Sequence, residues 1–363
     1  MMKKILFKIL TISTLLISVL ILPIFYPTGI AIYFRLFFLF LILTESLFLF
    51  KMVFTDKRVN RIISNVATIL LSFFVIFILL EAIFMFIPRS HTFDHTLGFR
   101  LWYAKYWKPV NSLGFRDGEP RTNRPVILFV GDSFTAGSGL ESVEDRFSNI
   151  AANQLNRQGK KYNLINIGQP SADTLGEYNQ LKKIIYYTRI KPDKIFLQYF
   201  GNDIEYVAAE NGFTFDGFPV FRDVKSIFMP IIAGSYLLNY IYWSFPKEYI
   251  NQHYINYLHK AYSDKNILSK HKNELKLFVD YARENSVQLV VIIFPFLANT
   301  EMSDSMYLNN IINYFEMNKI DVINVSKLVK DIPVAERIVS RYDGHASRKV
   351  NQVIAQEILK KIE

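Results

Sequence analysis

Three long apolar runs near the amino terminus constrain the fold of this chain more than any other feature. They cover residues 9–26, 30–50 and 62–87, and residues 1–88 contain only eight Lys or Arg and three Asp or Glu. Each run approaches or exceeds the ~20 residues that a helix needs to cross a ~30 Å hydrocarbon core. The sequence therefore predicts a three-helix membrane anchor in residues 1–88.

Positive charges beside these runs predict the orientation of the anchor. Basic residues precede the first run and also separate the second run from the third: Lys3, Lys4, Lys8, Lys51, Lys57, Arg58 and Arg61. Segments rich in such residues stay in the cytoplasm. A secretory signal is the alternative for the first run, but no small-residue cleavage site follows it. We expect a multi-pass cell-membrane protein with a cytoplasmic amino terminus and an extracytoplasmic domain after Ile87.

Ionisable residues also lie inside the apolar runs, namely Arg35, Glu45 and Glu81. A charge at such a position is costly unless it finds a partner. Arg35 and Glu81 fall at similar depth if the second run enters the membrane from outside, so we expect them to pair. We favour structural neutralisation over a transport role, because three helices offer little room for a pathway.

Outside the anchor, the charge composition argues against one class of partner and identifies none. Residues 89–363 carry 34 basic and 29 acidic side chains, a net charge of +5, and these residues are scattered. We therefore expect no nucleic-acid partner. The chain has no cysteine, which decides nothing, since a domain of this size can build its core without disulfides.

From residue 126 onward, short apolar segments alternate with helical stretches, the pattern typical of βαβ units and a parallel sheet. The predicted strands cover residues 126–130, 163–167, 194–199, 288–294 and 321–325, and the predicted helices cover residues 147–157, 175–188, 274–285, 306–317 and 348–361. Residues 126–363 are therefore predicted to form a three-layer, doubly wound α/β domain with a five-stranded parallel sheet.

Two segments do not follow this alternation. Residues 89–125 are predicted to be a juxtamembrane arm, in which the similar segments 96–100 and 112–116 suggest two extended pieces with glycine turns. Residues 204–263 form an insertion too long for an ordinary loop. A lid, a substrate platform, a membrane-facing patch and a plain structural insertion all remain open for it.

Ser133 is the first candidate nucleophile. It belongs to the segment Gly131-Asp132-Ser133, which directly follows the first predicted strand and precedes a turn. Open α/β sheets bind ligands at the carboxyl ends of their strands, and a helix amino terminus stabilises negative charge. A serine nucleophile also needs a base, a group that orients this base, and donors for the oxyanion.

Candidates for each of these roles occur later in the chain. His345 precedes the last helix and is the candidate base, with Asp343 as the candidate to orient it. The other five histidines lie in the arm, in the insertion or in a lysine-flanked segment, and they are less suited. Gly168 follows the second strand and offers a backbone N–H, while Asn202 follows the third and offers a side-chain amide. Together with the Ser133 N–H they would form a three-donor oxyanion hole.

These residues occur in an order that resembles the sequence blocks of the SGNH, or GDSL-type, hydrolase superfamily. The matching positions are Gly131-Asp132-Ser133, Gly168, Gly201-Asn202-Asp203, Asp343 and His345. The resemblance covers about residues 126–363 and implies a flavodoxin-like fold with Ser133 as nucleophile, Gly168 and Asn202 as oxyanion donors, and His345 as base.

The chain departs from the common family pattern at two positions. Phe200 stands where the third block usually has glycine, and Asp343 precedes His345 by two residues instead of three. A dyad of Ser133 and His345 without Asp343 is therefore the fallback.

The resemblance implies acyl transfer through an acyl-serine, with no cofactor and no metal ion. We expect an esterase that acts on acyl esters of an extracytoplasmic carbohydrate or lipid. An O-acyltransferase that modifies a cell-envelope glycan is the first alternative. A catalytically silent glycan-binding domain on a membrane anchor is the second.

Overall fold

The computed structural model describes residues 2–21, 31–53, 56–92, 96–121, 124–215, 228–245 and 248–362. The chain divides into two compact units. The first unit comprises Met1–Arg89, His95–Leu101 and Val220–Phe245, and the second comprises Ser90–Asp94, Trp102–Pro219 and Pro246–Glu363.

Helices come before the first strand, and strands and helices then follow one another along the chain. The strands are β1 Val126–Val130, β2 Asn163–Asn166, β3 Pro192–Tyr199, β4 Gln288–Ile293, β5 Asp321–Asn324, β6 Ile338–Ser340 and β7 Asp343–Ala346. The helices are α1 Met2–Ile21, α2 Ala31–Val53, α3 Lys57–Phe84, α4 Leu97–Tyr106, α5 Ser133–Ala136, α6 Phe147–Arg157, α7 Thr174–Thr188, α8 Glu205–Glu210, α9 Met229–Gly234, α10 Tyr236–Tyr242, α11 Glu248–Ser263, α12 Lys265–Glu284, α13 Thr300–Ser303, α14 Asn309–Met317, α15 Val325–Leu328, α16 Val334–Arg337 and α17 Arg348–Ile362.

The first unit contains α1, α2 and α3, which coincide with the three apolar runs. In the described part of the chain, α3 is the one helix that is long and apolar enough to cross a membrane, while α1 contains the shorter apolar stretch Ile9–Leu20. The Asp56 side chain caps α3 by accepting the Arg58 N–H at 2.6 Å. Membrane crossing by α1 and α2 stays a prediction.

Near the end of α3, the buried side chain of Glu81 caps a helix of the insertion. Its carboxylate accepts hydrogen bonds from Ser235 Oγ at 2.8 Å and from the backbone N–H groups of Tyr236 at 2.5 Å and Leu237 at 3.0 Å. These N–H groups lie at the amino end of α10, where they have no acceptor within the helix. Because the Arg35 side chain lies outside the described residues, the Arg35–Glu81 pair stays a prediction.

The second unit contains a five-stranded sheet in the order β2-β1-β3-β4-β5, and every pair of neighbours is parallel. Alternate residues of β1 face opposite layers of helices. Leu128 and Val130 belong to the core that α7, α11, α12 and α14 cover, whereas Ile127 and Phe129 belong to the core that α6 and α17 cover. The predicted α/β fold with a five-stranded parallel sheet is confirmed.

The strand order determines where a site can form. The chain continues from β1 to β2 on one side and then crosses to β3 on the other side of β1. The loops that leave the carboxyl ends of β1 and β3 therefore diverge, and ligands bind in the crevice at such a switch point. Ser133 follows β1 and Asn202 follows β3, so both candidates lie at this edge.

The two similar segments of the arm adopt different structures, so their prediction as two extended pieces was wrong. The first segment begins α4, where the Thr96 hydroxyl accepts the Phe99 N–H at 3.0 Å. The second forms a tight turn in which Gly114 has a φ of +87° and the Asn111 N–H donates to the Phe115 carbonyl at 2.9 Å. A helix cap in one copy and a left-handed glycine in the other account for the difference.

Candidate active site

The candidate nucleophile lies on a sharp turn between β1 and the short helix α5. Ser133 is the first residue of α5, and the Asp132 side chain caps this helix by accepting the Phe134 N–H at 2.8 Å. A Cβ at Gly131 would lie 2.3 Å from Thr135 Oγ1 and 2.5 Å from Gln198 Oε1. Glycine is therefore required for the chain to turn this closely over the edge of the sheet.

Two polar side chains from neighbouring strands hold this turn. Gln198 Oε1, from β3, accepts the Asp132 N–H at 3.0 Å and the Thr135 hydroxyl at 3.0 Å. Asn166, at the end of β2, donates to the Thr135 carbonyl at 2.8 Å. Sequence analysis missed both residues, although each is a polar side chain near the carboxyl end of a predicted strand, which is a usable signal.

The candidate base and its carboxylate lie on a small hairpin. Strands β6 and β7 pair in antiparallel fashion, and β7 carries both Asp343 and His345. Alternate residues of a strand face the same side, so a spacing of two brings these side chains together. His345 Nδ1 lies 2.5 Å from Asp343 Oδ1, and His345 Nε2 lies 2.9 Å from Ser133 Oγ. The structure thus joins all three candidates in one chain of hydrogen bonds.

The Asp343 carboxylate is buried and has donors on both oxygens. Oδ1 also accepts the His345 backbone N–H at 3.1 Å, and Oδ2 accepts the Ser90 hydroxyl. Gly139, with a φ of +83°, packs so closely that a Cβ there would lie 2.7 Å from Oδ2. Three separate segments therefore fix the orientation of this carboxylate.

The electrostatics of the pair favour a charged imidazole and a charged carboxylate. Burial lowers the pKa of His345, but the charge and hydrogen bond of Asp343 and the charge of Asp132 outweigh burial, so this pKa is raised above 6.5. Burial raises the pKa of Asp343, but the charge and hydrogen bonds of His345 reverse this effect and lower it below 3.8. His345 consequently becomes the neutral base only when the pH exceeds this raised pKa.

The predicted oxyanion donors lie close to the nucleophile turn. Gly168 packs against α5, where a Cβ would lie 2.3 Å from the Ala136 nitrogen, and its N–H donates to Asn166 Oδ1 at 3.0 Å. The Asn202 side chain lies beside the Asp132 carboxylate and helps to stabilise its charged form. The Ser133 N–H lies at the amino end of α5, where helix N–H groups lack an acceptor within the helix. Their joint role as an oxyanion hole stays a prediction.

Gly201, next to Asn202, is fixed by two buried tyrosines. A Cβ at Gly201 would lie 2.8 Å from the Tyr307 ring, and the Tyr262 hydroxyl donates to the Gly201 carbonyl at 3.1 Å. Tyr262 belongs to α11, so this part of the insertion supports the loop that carries Asn202.

Three buried carboxyl groups, those of Asp132, Glu177 and Asp203, lie close enough for their charges to interact. Burial raises the pKa of Asp132 to about 6, against the opposing hydrogen bond from the Phe134 N–H and the charge of His345. Burial and the charges of Asp203 and Asp132 raise the pKa of Glu177 well above its ordinary range, and burial and the charge of Asp132 do the same for the pKa of Asp203. In the part of the chain that the structure describes, no group of three or more His, Cys, Asp or Glu side chains could hold a metal ion.

Comparison with known proteins gives structural matches alone. No protein-family model and no curated protein matches the chain. Among solved structures, TesA is 11% identical, with a TM-score of 0.41 over 66% of this chain and 98% of TesA. The esterase EstA from Pseudoalteromonas sp. is 14% identical, with a TM-score of 0.40 over 66% of this chain and 96% of EstA. The acetyl xylan esterase AlAXEase is 15% identical, with a TM-score of 0.41 over 66% of this chain and 100% of that enzyme. Because identities and TM-scores are low, the case for the site rests on its own geometry.

Proposed function

We propose that this chain is a membrane-anchored serine esterase of the SGNH type that hydrolyses O-acyl esters of an extracytoplasmic carbohydrate or lipid. The observation that supports this most is the hydrogen-bond chain in which His345 lies 2.9 Å from Ser133 Oγ and 2.5 Å from Asp343 Oδ1. A hydroxyl held against an oriented imidazole is activated for attack on a carbonyl carbon.

The reaction proceeds by two acyl transfers. His345 Nε2 takes the proton of Ser133 as Oγ bonds to the ester carbonyl carbon, which leaves negative charge on the carbonyl oxygen. When this intermediate collapses, the bond to the alcohol breaks and His345 returns the proton to the leaving oxygen. Water then attacks the acyl-serine with His345 again as base, which releases the acid and restores Ser133.

The developing oxyanion is held by the N–H groups of Ser133 and Gly168 and by the Asn202 side-chain amide. The Gly168 N–H must share or exchange its present acceptor, Asn166 Oδ1, to take part. Donors of this kind each contribute roughly 3 kcal/mol to transition-state stabilisation, because they are aligned before the charge appears.

The anchor determines where the substrate is found. Helix α3 is long and apolar enough to span the bilayer, and the basic residues in its first turns, Lys57, Arg58 and Arg61, favour a cytoplasmic amino end. The second unit follows α3 in the chain and therefore faces acylated carbohydrate or lipid outside the cytoplasm.

The proposal is tested on the full-length protein in detergent, with a short-chain chromogenic ester and a fluorophosphonate probe. We expect wild type to hydrolyse the ester and to react with the probe, and Ser133→Ala to lose at least about 10³-fold in kcat. Ser142→Ala, whose hydroxyl caps a turn by accepting the Glu144 N–H, is the matched control and keeps full activity. Equal rates in wild type and Ser133→Ala would contradict the proposal.

The same assay separates the two alternatives. Probe labelling together with acyl transfer to an added sugar, in place of release into water, would identify an O-acyltransferase. Absence of both labelling and turnover would favour a catalytically silent glycan-binding domain.

A further inference from the structure

The residues that follow the anchor helix contact the Asp–His pair. Helix α3 ends at Phe84, and Ser90 lies six residues further along the chain. Ser90 is buried, with 9% of its surface exposed, and its hydroxyl donates to Oδ2 of Asp343. A segment outside the predicted α/β domain thus supplies a partner to the carboxylate of the site.

The two oxygens of Asp343 have separate tasks. Oδ1 accepts both the ring and the backbone N–H of His345. Among the described residues, the Ser90 hydroxyl is the hydrogen-bond donor to Oδ2. Since Asp343 is only 1% exposed, solvent cannot replace a lost donor without rearrangement. The Ser90 hydroxyl therefore decides which oxygen remains available to His345.

The neighbours of Ser90 hold the same turn of the hairpin. The Thr92 N–H donates to the Tyr342 carbonyl at 3.0 Å, and the Gly344 N–H donates to Thr92 Oγ1 at 3.1 Å. The His91 ring stacks on Tyr342, with 6.3 Å between centroids and 14° between planes. Residues 90–92, the clamp segment, are thus bound to residues 342–344 at every position.

We propose that Ser90 is a positioning residue for the catalytic pair, which fixes the Asp343 carboxylate so that Oδ1 faces His345, while the clamp segment holds the hairpin turn. This inference rests on the proposed function, because it assigns a role relative to His345. The hydrogen-bond relay of the site is then completed by a segment that begins six residues after the end of α3.

The effect on proton binding follows from the direction of the Ser90 dipole. The hydroxyl proton points at Asp343, so removing it makes the surroundings of His345 more negative and strengthens proton binding there. The other titratable groups that face the pair are Asp132, on the nucleophile turn, and His91, in the clamp segment. Neither is altered by substitution of Ser90.

The test compares Ser90→Ala with Ser90→Thr, which keeps the hydroxyl, in the full-length protein. Ser112→Ala is the matched control, because Ser112 also donates to a carboxylate, Glu119 Oε2 at 2.7 Å, but at an exposed position. We expect Ser90→Ala to lower kcat about tenfold at unchanged KM and to move the acidic limb of the kcat/KM profile up by about half a pH unit. Ser90→Thr should restore both values, and Ser112→Ala should match wild type. Wild-type kcat and pH profile in Ser90→Ala would overturn the inference.

A second measurement keeps this test independent of turnover. The titration of His345 is followed by NMR in histidine-labelled full-length protein, with the signal assigned through His345→Gln. An upward shift of about half a unit in Ser90→Ala supports the inference, and an unchanged midpoint overturns it. Wild type without Ser133-dependent turnover would instead contradict the proposed function, whatever the titration shows.

Discussion

The two-residue spacing between Asp343 and His345 shows how local structure decides the role of a residue. Asp343 precedes His345 by two residues instead of the three that are common in the family, and for this reason a Ser133–His345 dyad was the fallback. The structure places Asp343 and His345 on β7, where alternate side chains share a face. Ser133, His345 and Asp343 could be proposed from the sequence because they belong to short motifs that occur in a recognisable order along the chain. Ser90 could not, because its contact with Asp343 spans 253 positions and has no local pattern.

At the scale of single residues, Asp343→Asn should disable the base, His345, and leave the nucleophile, Ser133, in place. The Asp343 charge raises the pKa of His345, and the base must be neutral to accept a proton. Loss of this charge lowers that pKa, so the acidic limb of the kcat/KM profile moves to lower pH. The wrong ring tautomer should reduce kcat by roughly 10² to 10⁴. Steady-state kinetics across pH provide the measurement, with Asp331→Asn as an exposed control.

An unchanged kcat and an unchanged limb in Asp343→Asn would mean that Ser133 and His345 act as a dyad. This is the fallback that the shortened spacing raised.

At the scale of elements, burial decides which predictions succeed. The five parallel strands were predicted within two residues at each end, because strands buried on both faces appear as continuous apolar runs. Helix α4 was missed because its sequence mixes aromatic, basic and glycine residues without a clear period. The β6–β7 hairpin was missed because short edge strands with turn-forming residues have little signal of their own.

The turn after α5 offers a prediction for an element, with an internal control. Gly139 and Gly159 both have positive φ, +83° and +75°, so alanine at either position costs roughly 1 kcal/mol of stability. At Gly139 the new Cβ would also lie 2.7 Å from Asp343 Oδ2, whereas at Gly159 it meets open space. Thermal unfolding should shift in both variants but more in Gly139→Ala, where the Cβ would also lie 2.6 Å from Val339 Cγ2, and kcat should fall in Gly139→Ala alone. A normal kcat in Gly139→Ala would show that the carboxylate tolerates displacement.

For the whole molecule, the expected orientation in the membrane depends on basic residues that lie outside the α/β domain. The net charge of +10 includes Lys3, Lys4 and Lys8 and the basic residues at the end of α2 and the start of α3, which are Lys51, Lys57, Arg58 and Arg61. These charges oppose transfer across the membrane, so the loop before α3 should remain in the cytoplasm.

The cysteine-free sequence makes this topology directly measurable. Lys57→Cys and Gln158→Cys each introduce one exposed thiol into a chain that has none. In intact cells, a membrane-impermeant thiol reagent should label Gln158→Cys at once and Lys57→Cys only after permeabilisation. Labelling in the opposite pattern would place the serine site in the cytoplasm.

The contact between the clamp segment and the hairpin also sets where this protein can be cut. Residues 85–89 lie between the last residue of α3 and Ser90. A protease acting there would release a fragment that retains the Ser90–Asp343 hydrogen bond, whereas cleavage beyond Thr92 would separate Ser90 from the chain that carries Asp343. On the proposed topology and function, the segment after α3 therefore contains a boundary between cleavage that leaves the Ser90–Asp343 contact intact and cleavage that removes it.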